Sequence, residues 1–267
     1  MNNYRIAITN DDGIDSPGLM AAAKAVADMG EVIVIAPTKQ QTGMGRSLTG
    51  DHNAHLQPIK YRINSTDIQA YHCNCSPALV VRHAMQTIFN NRKPDLLISG
   101  INYGENLGHS VTCSGTVGAA LEAGNYNVPA IAISKQTDIR SHLTYTEQDW
   151  LASTYFLKYF SSIVLEKTML PDVDVLKIDV PDSASPKTKW KITRLARTSY
   201  YKKKIDNPTA ASKISEAKTT ISVDKNNLDP ESDIYVLAVA NQVSVTPLSL
   251  DLTSRVDSSE LRNQFDL

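Results

Sequence analysis

The feature that most constrains this chain is a regular exchange, through its first two-thirds, between short apolar runs and helical patterns. Residues 6–9, 32–36, 95–99 and 130–133 are largely apolar runs too short for helices, and 173–180, which carries Asp174, Lys177 and Asp179, closes the series before Pro181. Each reads as a strand buried on both faces. Between them lie residues 18–29, with Gly30 placed as a helix C-cap would be, and 77–89, opened by Pro77. Residues 116–123, stopped by Gly124, and 146–160 complete the helical set. Strands separated by helices argue for a mostly parallel sheet covered on both faces, an α/β fold. Ligands in such sheets bind beyond the carboxyl ends of the strands.

Two segments lie at such ends. After the first run comes Thr9-Asn10-Asp11-Asp12-Gly13, where two adjacent carboxylates meet a glycine turn. Carboxylates this close repel each other, and a partly dry crevice makes the repulsion costly unless a cation relieves it. Oxygen ligands suit a hard divalent ion, Mg²⁺ or Mn²⁺. A helix N-cap or an Asx turn would use the same residues for shape alone. The second segment follows the run at 95–99. Asn102 and Asn106 sit among Gly100, Gly104 and Gly108, and Ser114-Gly115-Thr116 leads into a helix. Amide groups can ligate metal or donate to phosphate, and a helix start attracts anions through free N–H groups and the dipole. A simple Ser/Thr cap is compatible with that role. No P-loop and no Gly-x-Gly-x-x-Gly follows the first strand, which excludes the usual nucleoside triphosphatase and dinucleotide patterns.

Composition narrows the class further. The 267 residues carry 27 basic and 28 acidic side chains, so global charge gives no argument for nucleic acid or membrane binding. Three cysteines, Cys73, Cys75 and Cys113, cannot all pair within the chain and favour a reducing, cytoplasmic setting. His72, Cys73 and Cys75 lack a second cluster at zinc-ligand spacing. No run approaches membrane-spanning or leader-peptide length, so the chain reads as soluble. Residues 38–56 are polar, carry Gly43, Gly45 and Gly50, and read as a long loop, a kind that is usually either functional or disordered. Beyond Pro186 the pattern changes. Between Lys187 and Lys213 stand nine Lys or Arg and one acid, Asp206. This is either a solvated ribbon or a basic rim drawing in polyanions. Residues 191–197 and 219–223 read as antiparallel strands, and 234–240 and 243–245 as two more.

Five blocks in order carry a resemblance that reaches from Arg5 to Thr253: TNDDG with PGL after it, AP…TGMGRSLT, SGINYGENLG, CSGTVGAALEA and SVTPLSLDLT. Together they resemble the SurE survival-protein family of metal-dependent 5′/3′-nucleotidases. The resemblance implies a Rossmann-like three-layer sandwich over residues 1–185 and a β-rich oligomerisation arm over 186–267, exchanged between subunits of a homodimer or homotetramer. It implies one divalent ion per subunit on Asp11, Asp12, Thr42 and Asn102, with Thr42 standing where the family has serine. It places phosphate on Asn106, Ser114, Gly115 and Thr116, and makes Asp11, Asp12 and Asn106 catalytic. Three stretches depart from the pattern. Residues 75–80 replace a Gly-Thr-Pro-x-Asp-Cys segment, Cys113 replaces an aromatic, and residues 206–209 lack an arginine.

The implied reaction is hydrolysis of a nucleoside monophosphate to nucleoside and phosphate. A carboxylate of the pair, Asp11 in the first instance, serves as base for water or as nucleophile. An aspartyl-phosphate hydrolase is disfavoured by the absence of Asp-x-Asp spacing and of a partner lysine. A metal-binding regulatory or scaffold protein of the same fold is the remaining alternative. The arm, poor in sustained apolar runs, is expected to leave Ile234, Tyr235, Val236 and Leu237 exposed in a lone subunit.

Overall fold

A computed structural model describes residues 4–142 and 144–265. In chain order the first half contains β1 (Tyr4–Thr9), α1 (Pro17–Val26), β2 (Gly30–Pro37), β3 (Gln57–Pro58), β4 (Tyr61–Ile63), β5 (Thr66–Cys73), α2 (Pro77–Gln86) and β6 (Leu96–Tyr103). The second contains α3 (Gly115–Gly124), β7 (Ala130–Lys135), α4 (Leu151–Glu166), β8 (Val175–Val180), β9 (Trp190–Ile192), β10 (Tyr201–Lys204), β11 (Lys218–Ile221), α5 (Asp233–Ala238), β12 (Val243–Leu248) and α6 (Ser258–Gln264).

The main sheet runs β3-β5-β2-β1-β6-β7-β8-β12-β9, with β4 paired to β5 off this path. From β5 to β8 every pairing is parallel. Counting only those parallel strands, the order is the doubly wound one, reversing direction between β1 and β6. Alternation along β1 sends Ile6 and Ile8 into a core with Leu19 of α1 and Phe156 and Phe160 of α4. Ala7 faces the opposite core, with Val80 and Val81 of α2 and Val117 and Ala120 of α3. Three layers result, and the α/β class read from the sequence is the class observed.

Several boundaries differ for identifiable reasons. Gly30 is not a C-cap; α1 is capped by Ala27, and Gly30 opens β2. A Cβ there would lie 2.3 Å from the carbonyl oxygen of Tyr4. Helix α4 starts at Leu151 rather than at Thr146, where the Asp149 carboxylate accepts the Leu151 N–H at 2.9 Å. Strand β5 had no counterpart in the sequence reading. Its segment, Thr-Asp-Ile-Gln-Ala-Tyr-His-Cys, is largely polar because only short β3 and β4 lie beyond it.

The C-terminal third departs most. Residues 234–240, read as a strand, instead contain α5, with the Ser232 hydroxyl accepting the Tyr235 N–H at 3.3 Å. Ile234 and Leu237, one helical turn apart, share a small core with Leu107, Ala196 and Tyr200. The expected exposure of Ile234, Val236 and Leu237 is therefore overturned: all are buried within this one chain. Strand β12 joins the main sheet antiparallel to β8, and β9 pairs parallel to β12. Of the segments read as antiparallel, 219–223 overlaps β11, whose antiparallel partner is β10 rather than residues 191–197.

Candidate active site

The reversal of strand order between β1 and β6 opens a crevice beyond Thr9 and Ser99, which are register partners at the end of that pairing. Asn10 shapes the turn at its edge: its side-chain oxygen accepts the Gly13 N–H at 3.1 Å, and its amide donates to the Gly13 carbonyl at 3.0 Å. Gly13 adopts φ +103°. The turn therefore presents Asp11 and Asp12 side by side, both buried.

Asp11 faces the start of α3. The Thr116 hydroxyl donates to its Oδ1 at 2.5 Å. Backbone N–H groups of Gly115 and Thr116 also stabilise the carboxylate, against a burial penalty that dominates and raises its pKa. A Cβ on Gly115 would fall 2.7 Å from the Asp11 Cβ, so only glycine admits this approach. Asp12 accepts from the Gln40 amide at 3.1 Å and the Tyr103 N–H at 3.3 Å. Burial first, and the Asp11 charge second, push its carboxyl up to about 8.

Asn102 is aimed by an irregularity in β6. Ser99 pairs with Ala132 but Asn102 with Ser134, so β6 holds one residue more than β7 between them. Such a bulge re-aims a side chain at the end of a strand. The Asn102 amide nitrogen donates to the Gly104 carbonyl at 2.6 Å, leaving its oxygen as the available ligand atom. Asn106 donates from Nδ2 to the Ser134 hydroxyl at 2.9 Å and from its backbone to Asp179 Oδ1 at 2.7 Å.

A buried ionic cluster fixes the loop that carries Asn106. Lys177 lies 2.5 Å from Asp179 and 3.2 Å from Asp233, all three essentially without solvent exposure. Asp233 accepts from Gly108 N–H and Ala196 N–H, both at 2.9 Å. The two carboxylates thus hold both ends of the turn from Asn106 to Gly108 and tie α5 to it. On the other side, Arg46 and Arg82 each bond the buried Glu122 of α3 at 2.8 Å. Arg46 thereby anchors the long loop that carries Thr42.

Asp11, Asp12, Thr42, Asn102, Asn106 and Ser114 all line one cavity of about 320 Å³. Thr116 and Gly115 are not in its wall, and the Thr116 hydroxyl, read as a phosphate donor, is bonded to Asp11. Ser114 accepts the Val117 N–H at 3.1 Å, so its hydroxyl proton is free to point outward. The sequence reading missed Glu105, His142, Tyr201 and Thr219, which also line the cavity, and left Lys203 unmarked within the basic stretch it offered as a rim. Glu105 stood inside the glycine-rich segment and could have been noticed as an acid there. The others come from segments with no local motif.

The donors facing the cavity floor are two carboxylates, an amide oxygen and a hydroxyl. Among the described residues neither Asp11 nor Asp12 enters an ion pair. No cluster of three His, Cys, Asp or Glu side chains gathers at metal-ligand spacing among them. This all-oxygen set suits a hard divalent cation rather than zinc, and an uncompensated acidic pair supplies the reason to bind one.

The survival protein SurE family model matches residues 6–202. A 5′-nucleotidase SurE from Thermococcus kodakarensis is 38% identical over 267 residues, covering 97% of each chain. One from Methanocella arvoryzae is 38% identical over 97% of this chain and 96% of its own. The crystal structure of the SurE protein from Aquifex aeolicus superposes with a TM-score of 0.74 at 28% identity, covering 98% of this chain and 100% of that one.

Proposed function

Since the chain belongs to the survival protein SurE family, we propose that the Asp11–Asp12 crevice is the active site of its nucleotidase reaction. The chain is a phosphoric monoester hydrolase of the 5′-nucleotidase type, as its relatives' names state over nearly its whole length. Nucleoside 5′-monophosphates are the proposed substrates, with 3′-monophosphates as a second class. The observation that carries the site assignment is the buried acidic pair facing an all-oxygen donor set in one cavity with Asn106 and Ser114.

Asp11, Asp12, Thr42 and Asn102 would hold one Mg²⁺ or Mn²⁺. Bound there, such an ion supplies positive charge to a phosphoryl oxygen and makes water more acidic. The side chains do the rest. Asn106, fixed by Ser134 and Asp179, offers its second amide hydrogen to a phosphate oxygen, and Ser114 offers its hydroxyl. These preset donors stabilise charge that grows in the transition state. Thr116 and the Gly115 amide hold Asp11 in place to accept the proton of the attacking water.

Phosphate release from a nucleotide panel, with Mg²⁺ or Mn²⁺ and with EDTA, tests the reading. Release that EDTA abolishes is expected. No release from any nucleotide with either metal would instead favour the regulatory or scaffold role.

Assembly into a homodimer or homotetramer is part of the same proposal. Ile214, Leu252, Val256 and Phe265 are exposed apolar residues off the main sheet. The same proposal has the C-terminal arm, residues 186–267, exchanged between subunits, its exposed tail beyond β12 included. A stable, active species of 29.3 kDa in light scattering would remove this part. The free thiols Cys73, Cys75 and Cys113 support a cytoplasmic location, and among the described residues no helix is long and apolar enough to cross a membrane.

A further inference from the structure

The outer wall of the cleft is built by the β10–β11 ribbon, and its geometry singles out one side chain. Side chains alternate along a strand, so Tyr201 and Lys203 face one way and Lys202 and Lys204 the other. Tyr201 and Lys203 line the cavity, whereas Lys202 and Lys204 do not. Lys203 is paired in register with Thr219 of β11, which lines the cavity too. The ribbon is also seated rather than loose. The Tyr201 ring meets that of His142 edge-on at 5.7 Å and that of Tyr200 at 4.8 Å. Tyr200 is buried in the small core with Ile234 and Leu237. Ser222 N–H donates to the Tyr200 carbonyl at 2.9 Å, closing the base of the ribbon.

Among the described residues, Lys203 is the only Lys or Arg in the cavity wall, beside the acids Asp11, Asp12 and Glu105. It forms no salt bridge among them. A phosphate monoester brings about two negative charges near neutral pH. One divalent ion would only balance the acidic pair, and Asn106 and Ser114 are neutral donors, so no net positive charge is left to meet that of the substrate.

We propose that Lys203, supported by Thr219, is a substrate-binding residue that contacts the phosphate of the nucleotide from the ribbon side of the cleft. This inference rests on the nucleotidase reading and adds to it a cation that none of the sequence motifs contains. Of the three consecutive lysines, Lys202 and Lys204 face away from the cavity and Lys203 faces into it.

The experiment compares Lys203→Met, Lys203→Arg and Lys202→Met with wild type, using a nucleoside monophosphate as substrate and inorganic phosphate as competitive inhibitor. Lys203→Met should raise both KM and the phosphate inhibition constant roughly tenfold, as loss of one charge-assisted contact does, with a smaller change in kcat. Its kcat/KM should fall less steeply with added salt than that of wild type. Lys203→Arg should restore most of the loss, and Lys202→Met should match wild type. The metal concentration giving half-maximal activity should be unchanged throughout. If Lys203→Met keeps the wild-type inhibition constant for phosphate, or if Lys202→Met loses as much, the inference fails. A wild-type protein without phosphatase activity would overturn the nucleotidase reading instead, so the two failures are distinct.

Discussion

The two walls of the cleft were made in different ways. The inner wall grows from the parallel sheet: strand ends at β1 and β6, a bulge, and the start of α3, each within a few residues of a recognisable motif. The outer wall comes from the segment after Pro186, where β10 and β11 carry polar, basic residues and α5 hides behind β-branched ones. The inner wall supplies fixed oxygen and N–H groups; the outer supplies a long, flexible cation. The difference shows that groups needing ångström placement sit on buried strand ends, while charge supply tolerates a less buried ribbon.

The largest expected effect tests whether the inner wall alone carries the chemistry. Asp11→Asn and Asp12→Asn should each remove most divalent-ion binding and most phosphatase activity, with far-ultraviolet circular dichroism unchanged. Near-wild-type turnover at subsaturating metal in either variant would break the assignment and shift the chemistry toward the outer wall.

The join between the walls is the Lys177–Asp179–Asp233 cluster, and it gives the next largest effect. Lys177→Met leaves two buried carboxylates without their cation, and losing one partner of such a cluster costs about 3–5 kcal/mol. Urea denaturation should show that loss. A double variant, Lys177→Met with Asp233→Asn, should recover part of it, since one unpaired charge is gone. If Lys177→Met left stability unaltered, the cluster would not be the tie between α5 and the Asn106 turn that its hydrogen bonds indicate.

How much of this was legible follows the same division. The parallel sheet, the acidic pair and the Asn102–Thr116 segment could be read because burial on both faces and glycine turns leave strong local signals. The bulge that aims Asn102 leaves one trace, Gly100, with φ +132° and no room for a Cβ beside the Ile133 carbonyl, but a lone glycine does not say which neighbour it re-aims. Lys177 and Asp179 sit inside a segment read simply as a strand, and only the fold shows that Asp233 lies against them. Ile-Tyr-Val-Leu-Ala-Val reads as a strand by β-propensity, but the Ser232 cap and burial of Ile234 and Leu237 on one face make it a helix. Lys203 was one of nine basic residues, indistinguishable until the ribbon assigned each to a face.

Within the inner wall, a moderate effect separates two donors that the motif presents together. Asn106→Ala should raise KM and lower kcat, with the metal titration nearly fixed, because its amide bonds Ser134 and faces the cavity. Thr116→Val should also shift the metal titration, because its hydroxyl serves Asp11. One transition-state donor is worth roughly 3 kcal/mol, so a drop in kcat/KM of about two orders of magnitude is expected for Asn106→Ala. Equal metal shifts in both variants would erase the distinction between ligand support and phosphate binding.

The smallest expected effect concerns the metal-free protein and its response to pH. Burial and the neighbouring Asp11 charge push the Asp12 carboxyl up to about 8. The folded state therefore keeps a proton that the unfolded chain releases near the ordinary carboxylate range. Where the folded state binds more protons, stability falls as pH rises, here between roughly pH 4 and pH 8. The Tm of EDTA-treated protein should thus decline across that window, and added Mg²⁺ should raise it more at pH 8 than at pH 5. Metal-free Asp12→Asn lacks the ionising group, so its decline should be shallower and its Tm at pH 8 higher than wild type. For a chain of this size each kcal/mol of relieved repulsion corresponds to about 2–4 °C. Lys203→Met, whose charge lies on the outer wall, should follow the wild-type curve. Parallel pH curves for Asp12→Asn and wild type would mean that the acidic pair is already neutralised without metal, and the case for a cation at the inner wall would lose its electrostatic basis.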